Sequence, residues 1–229
     1  MIFIVEISRR SSWSGIIVLP RSRNIRGVCL IIDQESLHSG ADEALFQALA
    51  AGVRFFQYRS KKSTRKALFD RAVTLAATAH RAGALFFVND HVDVAIAAGA
   101  DGVHLGQEDL PIELAQKLAG TEFLIGISTH DLDQAKAAQK AGADYIGFGP
   151  VFPTTTKDAG RVQGLEELGR ICASVSIPVI AIGGINNDNA GDTISAGAAG
   201  IAVVSSVLSA PDMNAAAENM VKIVEAVLS

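Results

Sequence analysis

The chain has little of what marks a secreted, membrane-bound or nucleic-acid-binding protein. It has only two cysteines, Cys29 and Cys172, far apart and outside any CxxC or ligand-spaced pattern. That excludes a disulfide framework and a cysteine metal site, so both are expected to be reduced, buried thiols in a cytoplasmic protein. A predominance of one charge is missing too. With a net charge of -4 and no basic stripe, nucleic acid is not an expected partner, and any anion site has to be local. No apolar run could span a bilayer, so no membrane partner is expected. The short runs Met1–Val5 and Ile16–Leu19 lack the order of a secretory signal, in which a basic region precedes a longer apolar core. No Gly-x-Gly-x-x-Gly opens the first helix, which removes the dinucleotide-binding reading, and no nucleophile–base triad or metal-spaced histidine pair is apparent.

What is present is a repeat. Residues 1–26 differ from the rest: they carry five arginines (Arg9, Arg10, Arg21, Arg23 and Arg26) and are expected to form a poorly ordered extension. From Gly27 onward an Ala-rich helix, an Ala-Gly stop and a short β-rich run recur. The stops fall at Gly52, Gly83, Gly99, Gly142 and Gly197, where a left-handed turn is needed between helix and strand. Eight β-rich runs follow: 28–32, 53–58, 85–88, 102–105, 123–127, 145–148, 179–182 and 200–204. Eight helical patterns alternate with them, at about 42–51, 65–82, 92–98, 111–118, 132–141, 165–174, 187–196 and 213–227. Hydrophobic residues make up 49% and charged residues 19%, enough for one substantial core. The fold class is therefore α/β, a (β/α)8 TIM barrel forming a single domain over residues 27–229, with a doubly wound open sheet as the competitor.

In such a barrel the chemistry belongs at the C-terminal ends of the strands. Gln57, Arg59 and Lys61 alternate along the second strand, so they share one face, inferred to look into the barrel mouth. A guanidinium and an ammonium converging there suit a polyphosphate, although a solvated strand end would read the same way. Asn89-Asp90 ends the third strand and Asp109 follows the fourth. Two carboxylates with room for water suit Mg²⁺; the alternative is that both aspartates are helix N-caps. After the sixth strand, Thr154, Thr155, Thr156 and Lys157 set hydroxyl donors beside a movable charge. Gly183-Gly184 after the seventh strand and Val204-Ser205 after the eighth lie where barrels often bind a phosphate, tight turns being the alternative. His104 reads as an inward, hydrogen-bonded core residue. His130, beside Ser128, is the one candidate acid or base.

These residues resemble a family, the thiamine-phosphate synthases, over Gly27 to Val227. The markers are Gln57-Tyr58-Arg59-Ser60-Lys61, Val88-Asn89-Asp90, the run from Gly102 to Pro111, Gly126-Ile127-Ser128, Gly147 to Phe152 with Thr154, Thr156 and Lys157, Gly183-Gly184-Ile185, and Val204-Ser205. The resemblance implies a transferase that couples hydroxymethylpyrimidine diphosphate to a thiazole phosphate, giving thiamine phosphate and pyrophosphate by Mg²⁺-assisted dissociative substitution. It implies that Gln57, Arg59, Lys61, Asn89 and Lys157 hold the pyrimidine diphosphate and that Asp90 and Asp109 ligate Mg²⁺. Ser128, Thr154, Thr156, Gly184, Val204 and Ser205 would hold the thiazole phosphate. Arg59, Lys61, Lys157 and Ser128 would be the catalytic set. The chain departs from the family pattern at Ser60, usually Glu, at Phe56 and Tyr58, usually aliphatic, at Thr155, usually Pro, and in the stretch 158–161. A thiazole tautomerase on the same barrel and a non-catalytic phosphate-ligand binder are the rival readings. A homo-oligomer stays open.

Overall fold

The eight short apolar runs assemble as one closed parallel barrel in the order β1 to β8, in a computed structural model that describes residues 25–38, 40–154 and 161–229. The strands are β1 (Gly27–Asp33), β2 (Phe55–Arg59), β3 (Leu85–Asn89), β4 (Gly102–Leu105), β5 (Leu124–Thr129), β6 (Tyr145–Phe148), β7 (Val179–Ile182) and β8 (Gly200–Val203). β8 returns to pair with β1 from Gly27↔Gly200 onward, which leaves no open edge. This closure decides between the barrel and the open sheet.

Helices α1 (Ala41–Ala50), α2 (Arg65–Arg81), α3 (Val92–Ala97), α4 (Ile112–Ala119), α5 (Leu132–Lys140), α6 (Gly164–Ser174), α7 (Ala190–Ser195) and α9 (Met213–Leu228) surround the strands, with a one-turn α8 (Ser205–Leu208) after β8. The glycines at the five stops all have positive φ, from +68° at Gly99 to +105° at Gly197, as the helix-to-strand turn requires.

Two local boundaries differ from expectation for identifiable reasons, and one short element is additional. β2 begins at Phe55 because the Val53 N–H is bonded to Ala48 O, closing α1. α7 begins at Ala190 rather than 187 because Asn side chains satisfy the preceding backbone: Asn186 Oδ1 accepts from Asp188 N, and Asn189 Oδ1 from Asn186 N, each at 2.8 Å. The 3-10 turn Gln34–Ser36 after β1 has no counterpart among the elements expected from the sequence.

Alternation along the strands separates two apolar regions. Leu30, Ile32, Phe56, Tyr58, Phe86, Val88 and their equivalents face the helices. Cys29, Ile31, Phe55, Phe87, Leu124, Tyr145 and Ile180 fill the barrel, and Ile25, 1% exposed, joins them from below. The rings of Phe55, Phe87 and Tyr145 meet edge to face, with centroids 5.1 to 5.7 Å apart, and seal the floor. Each such buried ring contributes roughly 2 to 3 kcal/mol. Inside the barrel the charged side chains are therefore gathered in the upper, C-terminal layer, with His104 and the Tyr145 hydroxyl among the polar groups beneath them.

Candidate active site

That upper layer begins with the two-residue period of the strands. On β1 the inward series Cys29, Ile31 ends in Asp33, and on β2 the series Phe55, Gln57 ends in Arg59. Asp33 and Arg59 are register partners, and Arg59 Nη1 donates to Asp33 Oδ1 at 2.6 Å. Ser36 Oγ donates to the other carboxylate oxygen at 2.5 Å. Asp33 is 3% exposed, so it is a buried carboxylate held by a cation and a hydroxyl. Asp33 does not stand out as a site residue in the sequence, because it ends an unbroken apolar run. Its signal is that it pairs across the sheet with Arg59.

The Lys61 ammonium pairs with Asp90 Oδ2. Asp90 has φ +64°, the one positive φ outside glycine among the described residues, so its placement carries backbone strain. Its carboxyl also hydrogen-bonds that of Asp109. Burial pushes Asp90 toward the neutral form, but the bonds to Lys61 and Asp109 and the Lys61 charge outweigh it and hold its pKa below the usual carboxylate value. Asp109 is raised, first by burial and then by the hydrogen bond and charge of Asp90, against the Gly106 N–H that its Oδ2 accepts at 2.7 Å. Neither aspartate is a helix cap: the N-cap positions are His91 for α3 and Pro111 for α4.

Glu35 ties this side together. It accepts from Ser60 Oγ at 2.9 Å and from the backbone of Lys61 and Lys62 at 3.1 Å. Burial opposes its ionisation, but these three bonds hold its pKa below the ordinary value. Where the family pattern has a carboxylate at position 60, the chain sets a serine and brings a carboxylate from the β1 loop.

Beside this cluster opens a cavity of about 430 Å³ over the ends of β5 to β8. Of the residues singled out in the sequence, Arg59, Ser128, His130, Thr154, Gly184, Val204 and Ser205 line it, and Asp33, Arg161, Gln163 and Ser206 join them. Gln57 is buried at 4% exposure on β2. Asn89 ends β3. Gln57, Lys61, Asn89, Asp90 and Asp109 do not line the cavity; Lys61, Asp90 and Asp109 form the adjoining acidic and basic cluster. Thr156, Lys157 and the Thr155 departure lie outside the described residues. Gly183 (φ +98°) and Gly184 (φ +65°) turn the chain under the loop that carries Thr154, and a Cβ on Gly184 would fall 2.3 Å from Pro153 O. Ser206 Oγ is buried with no hydrogen-bond partner among the described residues, a polar atom awaiting an acceptor or donor at the cavity wall. The His130 Nδ1–H donates to Gly149 O at 2.7 Å, which leaves Nε2 as the acceptor nitrogen of the neutral ring.

A closed eight-stranded barrel with its polar groups gathered at the C-terminal rim defines the (β/α)8-barrel class. A family model described as thiamine monophosphate synthase matches residues 28–207. A thiamine-phosphate synthase of Pyrococcus furiosus is 48% identical over 186 residues, 81% of this chain and 89% of that one. Another, of Chloroflexus aurantiacus, is 49% identical over 174 residues, 76% of this chain and 80% of that one. Among solved structures, the thiamine phosphate pyrophosphorylase from Pyrococcus furiosus matches with a TM-score of 0.85 at 45% identity, covering 90% of this chain and 99% of that one. The chain belongs to the thiamine monophosphate synthase family.

Among the described residues, no helix is long and apolar enough to cross a membrane.

Proposed function

We propose that the protein is a thiamine-phosphate synthase that joins hydroxymethylpyrimidine diphosphate to a thiazole phosphate with loss of pyrophosphate. The observation that carries this reading is the juxtaposition of a cavity edged by glycines and hydroxyls with a separate cluster of Lys61, Asp90 and Asp109. Two anionic substrates need two different receptors, and a tautomerase acting on thiazole phosphate alone would have no use for the second.

The chemistry needs no protein nucleophile. The C–O bond to diphosphate breaks first, its electron pair leaving with pyrophosphate, and the thiazole nitrogen then gives its lone pair to the pyrimidine methylene cation to form the new C–N bond. Arg59 and Lys61 supply the positive charge toward which that pair moves, an electrostatic contribution that grows as the bond breaks. Gln57 and Asn89 orient the pyrimidine. Thr154, Ser205 and the backbone of Gly184 and Val204 hold the thiazole phosphate so that its ring nitrogen faces the methylene, which lowers the entropic part of the barrier. Thr156 and Lys157 take the roles that the family resemblance implies.

Asp90 and Asp109 fit Mg²⁺: they are adjacent carboxyls, the second with its pKa raised by burial and then by its contact with the first, and one or two carboxylates plus substrate oxygens are what this ion ordinarily takes. When bound it would neutralise diphosphate charge. Among the described residues no larger group of His, Cys, Asp and Glu offers a rival metal site.

The test is to mix both substrates with Mg²⁺ and follow pyrophosphate and thiamine phosphate. Equal formation of the two, abolished in Asp90→Ala with the fold intact, is expected. Saturable binding of thiazole phosphate with no product would overturn the reading in favour of a binder.

A further inference from the structure

The backbone ladder between β1 and β2 stops at Asp33↔Arg59, just before the stretch Ser60-Lys61-Lys62. Among the described residues, neither the Lys61 nor the Lys62 N–H donates to a backbone carbonyl. A side chain takes over. Both N–H groups reach Glu35 Oε1 at 3.1 Å, and Ser60 Oγ donates to the same oxygen at 2.9 Å. The hydroxyl of Ser60 has one hydrogen and the carboxylate takes it, so Ser63 Oγ, 2.8 Å away, donates to Ser60. One oxygen on the turn Gln34–Ser36 thus carries the pairing of the two strands three residues past the end of the ladder.

The neighbouring residues grip the same strand. Gln34 Oε1 accepts from the Tyr58 hydroxyl at 3.1 Å, Asp33 holds Arg59, and Ser36 Oγ bonds Asp33 in turn. The backbone that bears Arg59 and Lys61 is therefore held from Tyr58 to Lys62 without a gap. A carboxylate beside an anion receptor repels the anion, so Glu35 has to offset that repulsion in another way. The Lys61 side chain is half exposed and flexible, and where its ammonium can reach is set by its Cα. Holding that Cα before a ligand arrives removes ordering entropy that binding would otherwise cost.

We propose that Glu35 is a positioning residue: by continuing the ladder it presets the Lys61 ammonium beside Arg59 for the diphosphate of the substrate. It acts through the backbone of Lys61 and Lys62. The identity of that anion, a pyrimidine diphosphate, rests on the function proposed above.

Two variants test this. Glu35→Gln keeps an accepting oxygen and drops the charge, whereas Glu35→Ala removes the acceptor; Glu35 is exposed, so both should fold. Binding of inorganic pyrophosphate with Mg²⁺, followed by isothermal titration calorimetry, is expected to weaken about tenfold in Glu35→Ala and to stay within about threefold of the wild type in Glu35→Gln. The KM for the pyrimidine diphosphate should follow the same pattern, while that for thiazole phosphate stays unchanged in both. Amide hydrogen exchange at Lys61 and Lys62 should speed up about tenfold in the alanine variant alone. Equal pyrophosphate affinity in all three proteins reduces Glu35 to a structural contact and overturns the proposal, as does an equal rise in KM for both substrates. Tighter pyrophosphate binding in Glu35→Ala also overturns it, since the carboxylate would then stand in the place of a substrate oxygen. A wild type that binds pyrophosphate but forms no thiamine phosphate sinks the synthase reading and leaves the calorimetry to decide this one. A wild type that does not bind pyrophosphate overturns both.

Discussion

Gly184→Ala tests whether backbone geometry, rather than a charged side chain, shapes the cavity. The glycine has φ +65°, and the added Cβ would sit 2.3 Å from Pro153 O and 2.8 Å from Phe152 Cβ. Gly83 is a matched control, since it has φ +69° and a Cβ added there would meet nothing within 4 Å. Both alanines carry the left-handed backbone cost of roughly 1 kcal/mol, but only the first adds overpacking, roughly 2 kcal/mol more. For a chain of this size the expected falls in Tm are about 3 °C for Gly83→Ala and about 9 °C for Gly184→Ala. The atoms that must yield belong to the loop leading into Thr154. Gly184→Ala should therefore also raise the KM for thiazole phosphate about tenfold, while Gly83→Ala leaves it unchanged. Melting followed by circular dichroism, with steady-state kinetics on both substrates, reads both effects. Equal melting shifts in the two variants with an unchanged KM in Gly184→Ala would refute the reasoning.

Other perturbations reach the rest of the molecule. Burial pushes the Cys172 thiol up to about 11 and Cys29 higher still. At neutral pH the thiolate fraction is therefore negligible, and Ellman's reagent should label neither cysteine in the native protein and both in guanidinium chloride. Asp33→Ala strips Arg59 of its partner. A loss of roughly 2 kcal/mol in a denaturant titration is expected, below the full buried-pair range because Arg59 keeps some solvent. Because Asp109 takes up its proton at a higher pH than an ordinary aspartate, acidification should weaken Mg²⁺ activation before the usual carboxylate range is reached. Excess Mg²⁺ should restore activity in the wild type but not in Asp109→Asn, as rates measured against Mg²⁺ at several pH values would show.

The barrel is readable in the sequence because its repeat unit is local. Each Ala-Gly stop ends one helix and starts one strand, and the alternation of Phe55, Gln57 and Arg59 against Phe56 and Tyr58 assigns faces without any long-range information. Much of the cavity is legible for the same reason: once strand ends are located, Ser128, Thr154, Gly184 and Ser205 fall at one rim. What escapes is pairing across strands. Asp33 looks like the end of an apolar run until Arg59 arrives from 26 residues away, and Glu35 looks like loop polarity until it accepts from three groups of the β2 loop. His104 is legible as inward-facing, but its link to Tyr145, 41 residues on, depends on register and on the room left by Gly126 and Gly147. The Asn186–Asn189 turn escapes because side chains there replace the helix's own hydrogen bonds.

The rings of Phe55, Phe87 and Tyr145, with Ile25 beneath them, make the barrel a blind well. Nothing that enters from the rim can drain through the base, so both reactants and both products share a single doorway. Water capable of intercepting the pyrimidine cation of the proposed reaction has to arrive through that doorway as well. Protection against wasteful hydrolysis therefore falls to whatever covers the top, the rim loops and the thiazole itself, and not to the staves of the barrel.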